Sequence, residues 1–416
     1  LDTAGNNVAQ SGKPAKRGLL SVTDARAAML AATKPLQPER VALEDALERV
    51  LAQDVLASRD QPPFDVSAMD GYSVRSADTP GLLRMVGESA AGRGYAGALA
   101  PGDAVRISTG AAIPQNADSI VIQEDARRDG TCVEVPVSPP GRHIRLRGGD
   151  FTAGTVLLAA GRRLDGVALS LAAASGAARL AVARQPRIAI LCSGDELAVP
   201  GAKPGPWQIF ESATYGIAGL VRGWGGIAQR LALENDDAAA IARAAEQGLR
   251  DSDLLVVIGG ASVGDHDHAR PALAKLGLTL AVDKVAVRPG KPVWFGTTPL
   301  GQVLGLPGNP ASALVCAYLF LRPLLFVMQG RDPEPRVRRA RLALPLPANG
   351  PREHYLRGKW GADDEGGLFV RAFEDQDSSL LSVFAAANAL IRLPPDAPAA
   401  MQGALVDVLP LDGPSC

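Results

Sequence analysis

Three stretches between residues 187 and 320 follow the same course: "RIAILCSGDEL", "SDLLVVIGGASVGD" and "GQVLGLPGNPASALVCAYLF" each run from an apolar segment into a glycine-containing turn. A helix-forming segment, "DDAAAIARAAEQGLR", lies between the first two. Strands this continuously apolar have to be covered on both faces, and parallel neighbours need crossover connections. Residues 186–330 are therefore expected to form an α/β domain built on a mostly parallel sheet with covering helices.

The flanks read differently. "SVTDARAAMLAAT", with Ser21 as a cap, "LEDALERVLAQDV" and "GVALSLAAASG" have helical character, so residues 19–50 and 143–185 are expected to form a helical linking domain. Within it, residues 51–142 carry short alternating segments broken by glycine and proline, such as "DAVRISTGAAIP", "DSIVIQED" and "TCVEVPVS", which suit an inserted β domain. Residues 331–412, with proline-rich spacers and the strand-like "GLFVRAF" and "NALIRLP", suit a small C-terminal β domain. Residues 1–18 lack the apolar centre of a signal peptide and read as a flexible leader.

Composition narrows the partners. The 43 basic and 44 acidic side chains nearly cancel, so no field of one sign covers the molecule and nucleic acid is not expected as the main partner. Cys132, Cys192, Cys316 and Cys416 are scattered without a zinc-ligand spacing, as reduced thiols of a cytoplasmic protein would be. The apolar run "ASALVCAYLFLRPLLFVM" contains Arg322 and Pro323 and reads as a buried helix ending near Pro323, so no membrane association is expected.

Ligands of open α/β sheets bind where strands end in loops. The first such loop offers Ser193 and Gly194, whose backbone N–H groups suit an anion, followed by Asp195 and Glu196, which suit one only if a cation joins it; an acidic helix cap is the alternative. In the second, Gly259, Gly260 and Ser262 allow a phosphate or ring to approach, and Asp265 and Asp267 can orient a hydrated Mg²⁺. The third, Pro307, Gly308, Asn309 and Pro310, gives a stiff turn into a helix N-terminus. Lys284 and Arg288, four residues apart in an extended segment, share a face and could clamp a polyanion with Lys291, although a solvated edge explains them too. No acylation triad, Walker A segment or G-x-G-x-x-G stands out. The chemistry alone suggests a phosphorylated compound brought with Mg²⁺.

The segments "PPFDVSAMDGYSVR", "PGDAVRISTGAAIPQNADSIVIQE", "HIRLRGGDF", "CSGDELAVPG", "GGASVGDHD" and "LPGNPASA" together resemble the molybdopterin molybdenumtransferases, the MoeA family, relatives of the gephyrin E domain. The resemblance spans about residues 20–410, and "SAMDGY" with "LPGNP" carries most of its specificity. It implies a central domain of molybdenum-cofactor-biosynthesis type and insertion of molybdate into adenylylated molybdopterin with hydrolysis of the adenylate, release of AMP and a divalent cation. It also implies a homodimer in which Asp70 reaches across to the neighbouring subunit's α/β domain, and transient contacts with other cofactor-biosynthesis proteins and molybdoenzyme chaperones.

Matched to the family positions, Asp70, Thr109, Asp150, Glu196, Asp236, Lys284 and Arg288 would be catalytic. Asp267, with Asp265 and Glu196, would attend the metal, while Pro307 and Pro310 also fall on family positions. Arg288 stands where the family more often has lysine. Val66, Gly149 and Ala213 stand where it usually has asparagine, glutamate and asparagine. Two other readings are an adenylyltransferase or CinA-like nucleotide pyrophosphate hydrolase, whose relatives usually lack the "SAMDG" architecture, and a non-catalytic pterin-binding scaffold.

Overall fold

The computed structural model describes residues 19–259, 268–362 and 366–411. The chain divides into two compact units, one of residues 40–182 and one combining the residues up to Glu39 with those from Ala183 onward.

The first unit contains a six-stranded sheet in the spatial order Ser119–Ile122, Gly71–Val74, Asp103–Ile107, Gly81–Ser89, Cys132–Val135 and Arg127–Asp129. Gly71 pairs with Ile107 on one side and Ile122 on the other. A Cβ at this position would lie 2.0 Å from the Val121 carbonyl oxygen, so the close strand approach beside Asp70 requires glycine.

The expected helix "LEDALERVLAQDV" does not form. Only Leu43–Asp45 makes a single 3-10 turn, after which Glu48 takes a positive φ of 65°. The amides of Glu48, Leu51 and Ala52 donate instead to Leu164, Arg162 and Ala181, and Val55–Leu56 pairs with Val156–Leu158. Its apolar residues Ala46, Leu51 and Val55 fill a core shared with Leu158, Leu164 and Val182, so tertiary pairing overrides a helix-compatible spacing. The helix Gly166–Ala174, capped by Asp165, does form in this unit. The helix Val22–Ala31, capped by Ser21, also forms, but its Val22, Ala25 and Met29 are buried in the core of the other unit.

In that second unit the strands Ile227–Arg230, Arg187–Cys192, Leu254–Ile258 and Gly301–Leu306 lie parallel in this spatial order, and Trp294–Thr298 and Thr279–Val282 follow antiparallel. Alternation within each strand explains why both faces are apolar. Ile188, Ile190 and Val256 face one core with helices Ala213–Gly223 and Pro310–Cys316, while Ala189, Leu191, Leu255 and Val257 face another with Ala238–Asp251 and Ala269–Ala274. Arg187–Cys192 and Leu254–Ile258 are neighbours, and the chain leaves them toward opposite edges, which puts the crevice beyond their carboxyl ends.

Pro323 does not end the apolar helix. The segment passes from α-helix at Pro310–Cys316 through a π-turn at Ala317–Leu321 into Arg322–Met328. The wider turn accommodates the proline's missing donor and ring. By length and composition this helix could cross a membrane, but 89% of its apolar window is buried inside the protein, so it is a core helix.

The C-terminal strands Glu353–Ala362, Leu368–Ala372, Arg338–Leu342, Leu405–Pro410 and Ala389–Leu393 close on themselves, because the first pairs with the last. Val287–Arg288 adds to this barrel in parallel, with Arg288 opposite His354.

Candidate active site

Within the second unit, the loops beyond the parallel strands meet in one cleft of about 1180 Å³. They are packed through glycine: Gly259, at φ 87°, has its Cβ position 3.2 Å from the Ser193 carbonyl oxygen, and that of Gly308 is 3.5 Å from Gly259 Cα. A side chain at Gly259 would be strained and tight against this oxygen, whereas a Cβ at Gly308 would make an ordinary contact.

Ser193 is buried, and the Gly194 amide donates to the Glu234 carbonyl, extending the strand by one pairing. Asp195 Oδ1 accepts the Asp236 amide at 3.2 Å, so Asp195 ties the segment carrying Asp236 to this loop. The exposed Glu196 folds its carboxylate back over Gly194, where a Cβ would meet Oε2 at 2.7 Å. Asp236 and Glu196 both line the cleft.

The facing wall is cationic. Val285 and Val287 point into the core while Lys284 and Arg288 line the cleft, the alternation expected of an extended segment, and Lys291 joins them. Pro307, Gly308, Asn309 and Pro310 form the adjoining wall. The cleft thus gathers Ser193, Gly194, Glu196, Asp236, Gly259, Lys284, Arg288 and the third loop. Gly260, Ser262, Asp265 and Asp267 lie outside the described residues.

The barrel contributes lining residues that the sequence reading did not single out: Arg352, His354, Gln376, Asp377, Ser378 and Ser379. Asn309 Nδ2 donates to the Ser378 hydroxyl at 2.7 Å, closing the third loop onto the barrel. Burial and the guanidinium groups of Arg288, Arg352 and Arg357 push the His354 imidazole down to about 4, so it is neutral at neutral pH. Desolvation and the carboxylates of Glu211, Glu196 and Asp236 push the Cys192 thiol up to about 12, which leaves it protonated and a poor nucleophile.

Asp70, Thr109 and Asp150 belong to the first unit. Asp70 Oδ1 accepts the Thr109 amide at 2.6 Å, and both residues are exposed. Hydrogen bonds from the Thr109 amide and side chain, with a smaller contribution from Arg106, hold the Asp70 carboxyl below its ordinary 3.8. Arg106 braces the turn by donating to the Gly71 carbonyl and Gln123 Oε1, while the Gln123 amide donates to the Asp70 carbonyl. Asp65, the other aspartate of "PPFDVSAMDGYSVR", instead accepts the Arg147 amide at 2.7 Å. Asp150 is exposed, with its amide donating to Gln61.

The three departures have distinct surroundings. Val66 is buried and pairs with Arg145, and Gly149 sits in a turn where its amide donates to the Leu146 carbonyl. Ala213 is buried at the start of its helix, where the buried Glu211 carboxylate caps the Thr214 amide and hydroxyl.

Among the described residues no group of three or more His, Cys, Asp or Glu converges as a metal site. Mg²⁺ needs only one or two carboxylates alongside water and phosphate, and the all-oxygen donors Glu196 and Asp236 in the cleft fit that chemistry.

Residues 20–176 match the MoeA N-terminal region (domain I and II), residues 189–326 a probable molybdopterin binding domain, and residues 339–411 the MoeA C-terminal region (domain IV). A molybdopterin molybdenumtransferase of Nostoc sp. is 36% identical over 369 residues, covering 86% of this chain and 85% of its own length. One of Haemophilus influenzae is 33% identical over 382 residues, covering 90% and 94%. The crystal structure of a molybdopterin biosynthesis MoeA protein from Pyrococcus horikoshii superposes with a TM-score of 0.84 at 27% identity, covering 95% of this chain and all of the other. With all three regions matched in order and the relatives aligned over most of their length, this chain belongs to the MoeA family of molybdopterin molybdenumtransferases.

Proposed function

We propose that this protein inserts molybdate into adenylylated molybdopterin and hydrolyses the adenylate link, giving molybdenum cofactor and AMP. The observation that carries the reading is the cleft in which glycine-packed strand-end loops face Lys284, Arg288, Lys291 and Arg352. Both substrates are anions, and fixed cations on a preorganised wall offset the charge that accumulates when they are brought together. The amino end of the Pro310–Met328 helix, beside the third loop in the cleft, is suited to phosphate and oxyanion oxygens.

Mg²⁺, when bound, would neutralise phosphate charge; Glu196, Asp265 and Asp267 would hold it. Asp236 and Glu196 orient groups at the anhydride, Lys284 and Arg288 hold the oxyanion, and Asp70, Thr109 and Asp150 complete the site from a second subunit of a homodimer. Arg288 offers a planar fork where a lysine would offer a point charge, which suits two-oxygen contact with a tetrahedral anion. The enzyme works in the cytoplasm and passes its product on through transient contacts with cofactor-biosynthesis proteins and molybdoenzyme chaperones.

The test is anaerobic turnover of adenylylated molybdopterin with Mg²⁺ and either molybdate or tungstate, quantifying AMP and metallated pterin together. The expected result is AMP release matched by metal incorporation, abolished by a chelator. ATP-dependent adenylylation of molybdopterin without metal incorporation would identify an adenylyltransferase, and binding without turnover under every metal and oxyanion a scaffold.

A further inference from the structure

A second cavity of about 510 Å³ adjoins the cleft, and the two share Arg288, His354, Gln376 and Asp377 as lining. Its other walls belong largely to the C-terminal barrel: Leu356, Phe373 and Leu393 supply apolar surface, and Glu374 and Asp375 supply carboxylates. A volume of this size falls in the range of small-ligand sites and holds a bicyclic heterocycle with room for water.

Much of the polar capacity of this wall is already committed. Gln376 Oε1 accepts from the Arg357 amide and Nε, and its Nε2 donates to the carbonyls of Arg357 and Phe373. Asp377 Oδ1 accepts from the Ser379 amide and hydroxyl. Among the groups that keep capacity are three lining the second cavity. The His354 imidazole is only 9% exposed, yet it has no hydrogen-bond partner among the described residues. The Glu374 carboxylate likewise has none among them, and Asp375 uses Oδ1 for the Asp377 amide and keeps Oδ2. A neutral imidazole with no partner among the described residues, lining two joined cavities, is a group a ligand can hydrogen-bond.

We propose that this second cavity receives the pterin ring of the substrate, with Glu374 and Asp375 accepting from its amino-imino edge and His354 completing the contact, while the adenylate end lies at the strand-end loops. The inference rests on the proposed function for its substrate. A 2-amino-4-oxo heterocycle presents two neighbouring N–H donors that one carboxylate can accept together, as it does from a guanidinium. Adenine presents a donor beside a lone-pair acceptor, which a carboxylate opposes. The apolar walls suit the faces of a flat ring, and the Arg288 junction places a cation where the pterin end would meet the anionic end.

The test uses the full chain and adenylylated molybdopterin, with Glu374→Gln and Asp375→Asn alone and together. These near-isosteric changes at exposed positions keep the fold, as melting curves verify. The double variant should raise KM about tenfold or more with kcat within about twofold, and leave the inhibition constant of AMP unchanged. Added 6-hydroxymethylpterin should inhibit the wild type competitively and the double variant far more weakly. An unchanged KM, equal pterin inhibition, or an AMP effect as large as the pterin effect would each overturn the assignment. Wild-type protein that fails to turn over adenylylated molybdopterin would instead sink the functional reading; normal wild-type turnover with insensitive variants removes the pterin site alone.

Discussion

Asn309 Nδ2 reaches the Ser378 hydroxyl at 2.7 Å, joining the turn after the parallel strand Gly301–Leu306 to a loop of the C-terminal barrel. Both residues line the cleft, so this bond ties its third loop to its barrel wall. Asn309→Ala and Ser378→Ala should each raise KM, and their double-mutant cycle should give a coupling of about 1 kcal/mol in kcat/KM. Strict additivity of the two changes would show that the loops are positioned without each other.

Asp70 is exposed and ionised, its carboxyl held below 3.8 by Thr109 first and Arg106 last. Because the shift is downward, an acid limb of kcat/KM lying above pH 3.8 belongs to another group. Asp70→Asn should stay folded and lose turnover. If it serves the neighbouring subunit's cleft, mixing it with Glu196→Gln and allowing subunit exchange should restore about a quarter of wild-type activity, from hybrid dimers with one intact site. Because both substitutions change the mass equally, one variant is uniformly 15N-labelled so that native mass spectrometry verifies exchange; hybrids without activity would place Asp70 outside the partner's site.

The turn bearing Asp70 depends on its neighbour. Gly71→Ala drives a methyl group onto the Val121 carbonyl, 2.0 Å away, inside a sheet paired on both sides. Overpacking of this kind should cost about 1–3 kcal/mol in denaturant unfolding and remove turnover through Asp70. Wild-type stability in this variant would mean that the strands separate more readily than their packing implies.

The parallel sheet was legible because strands buried on both faces have no polar positions, and "IAILC" and "LLVVIGG" have none. The place of the three loops around one cleft was legible for the same reason, since they follow the carboxyl ends of such strands. "LEDALERVLAQDV" misled because its apolar spacing fits a helix locally, while its amides are taken by Arg162, Leu164 and Ala181 far along the chain. Pro323 misled because a π-turn absorbs it. The barrel's share of the cleft was hidden by sequence distance. Arg352 and His354 reach the site through the parallel pairing of Arg288 with His354, which no local pattern announces, although a lone histidine amid arginines in "PREHYLR" was a usable signal.

That histidine makes a pH prediction with a definite sign. Its ordinary value is 6.5, and burial with Arg288, Arg352 and Arg357 lowers it to about 4 in the folded protein. Above pH 6.5 the folded and unfolded chains both hold it neutral, and it contributes no pH dependence. Between pH 6.5 and about 4 only the unfolded chain takes up the proton, so folding stability falls as pH falls; below about 4 both forms are protonated and the loss levels off. The full span corresponds to about 3 kcal/mol. His354→Gln, which cannot titrate, should therefore flatten the stability profile across this window while leaving the profile below it unchanged in slope. Urea unfolding at closely spaced pH values measures the difference, and identical slopes in wild type and variant would mean that His354 is protonated as easily in the barrel wall as in water.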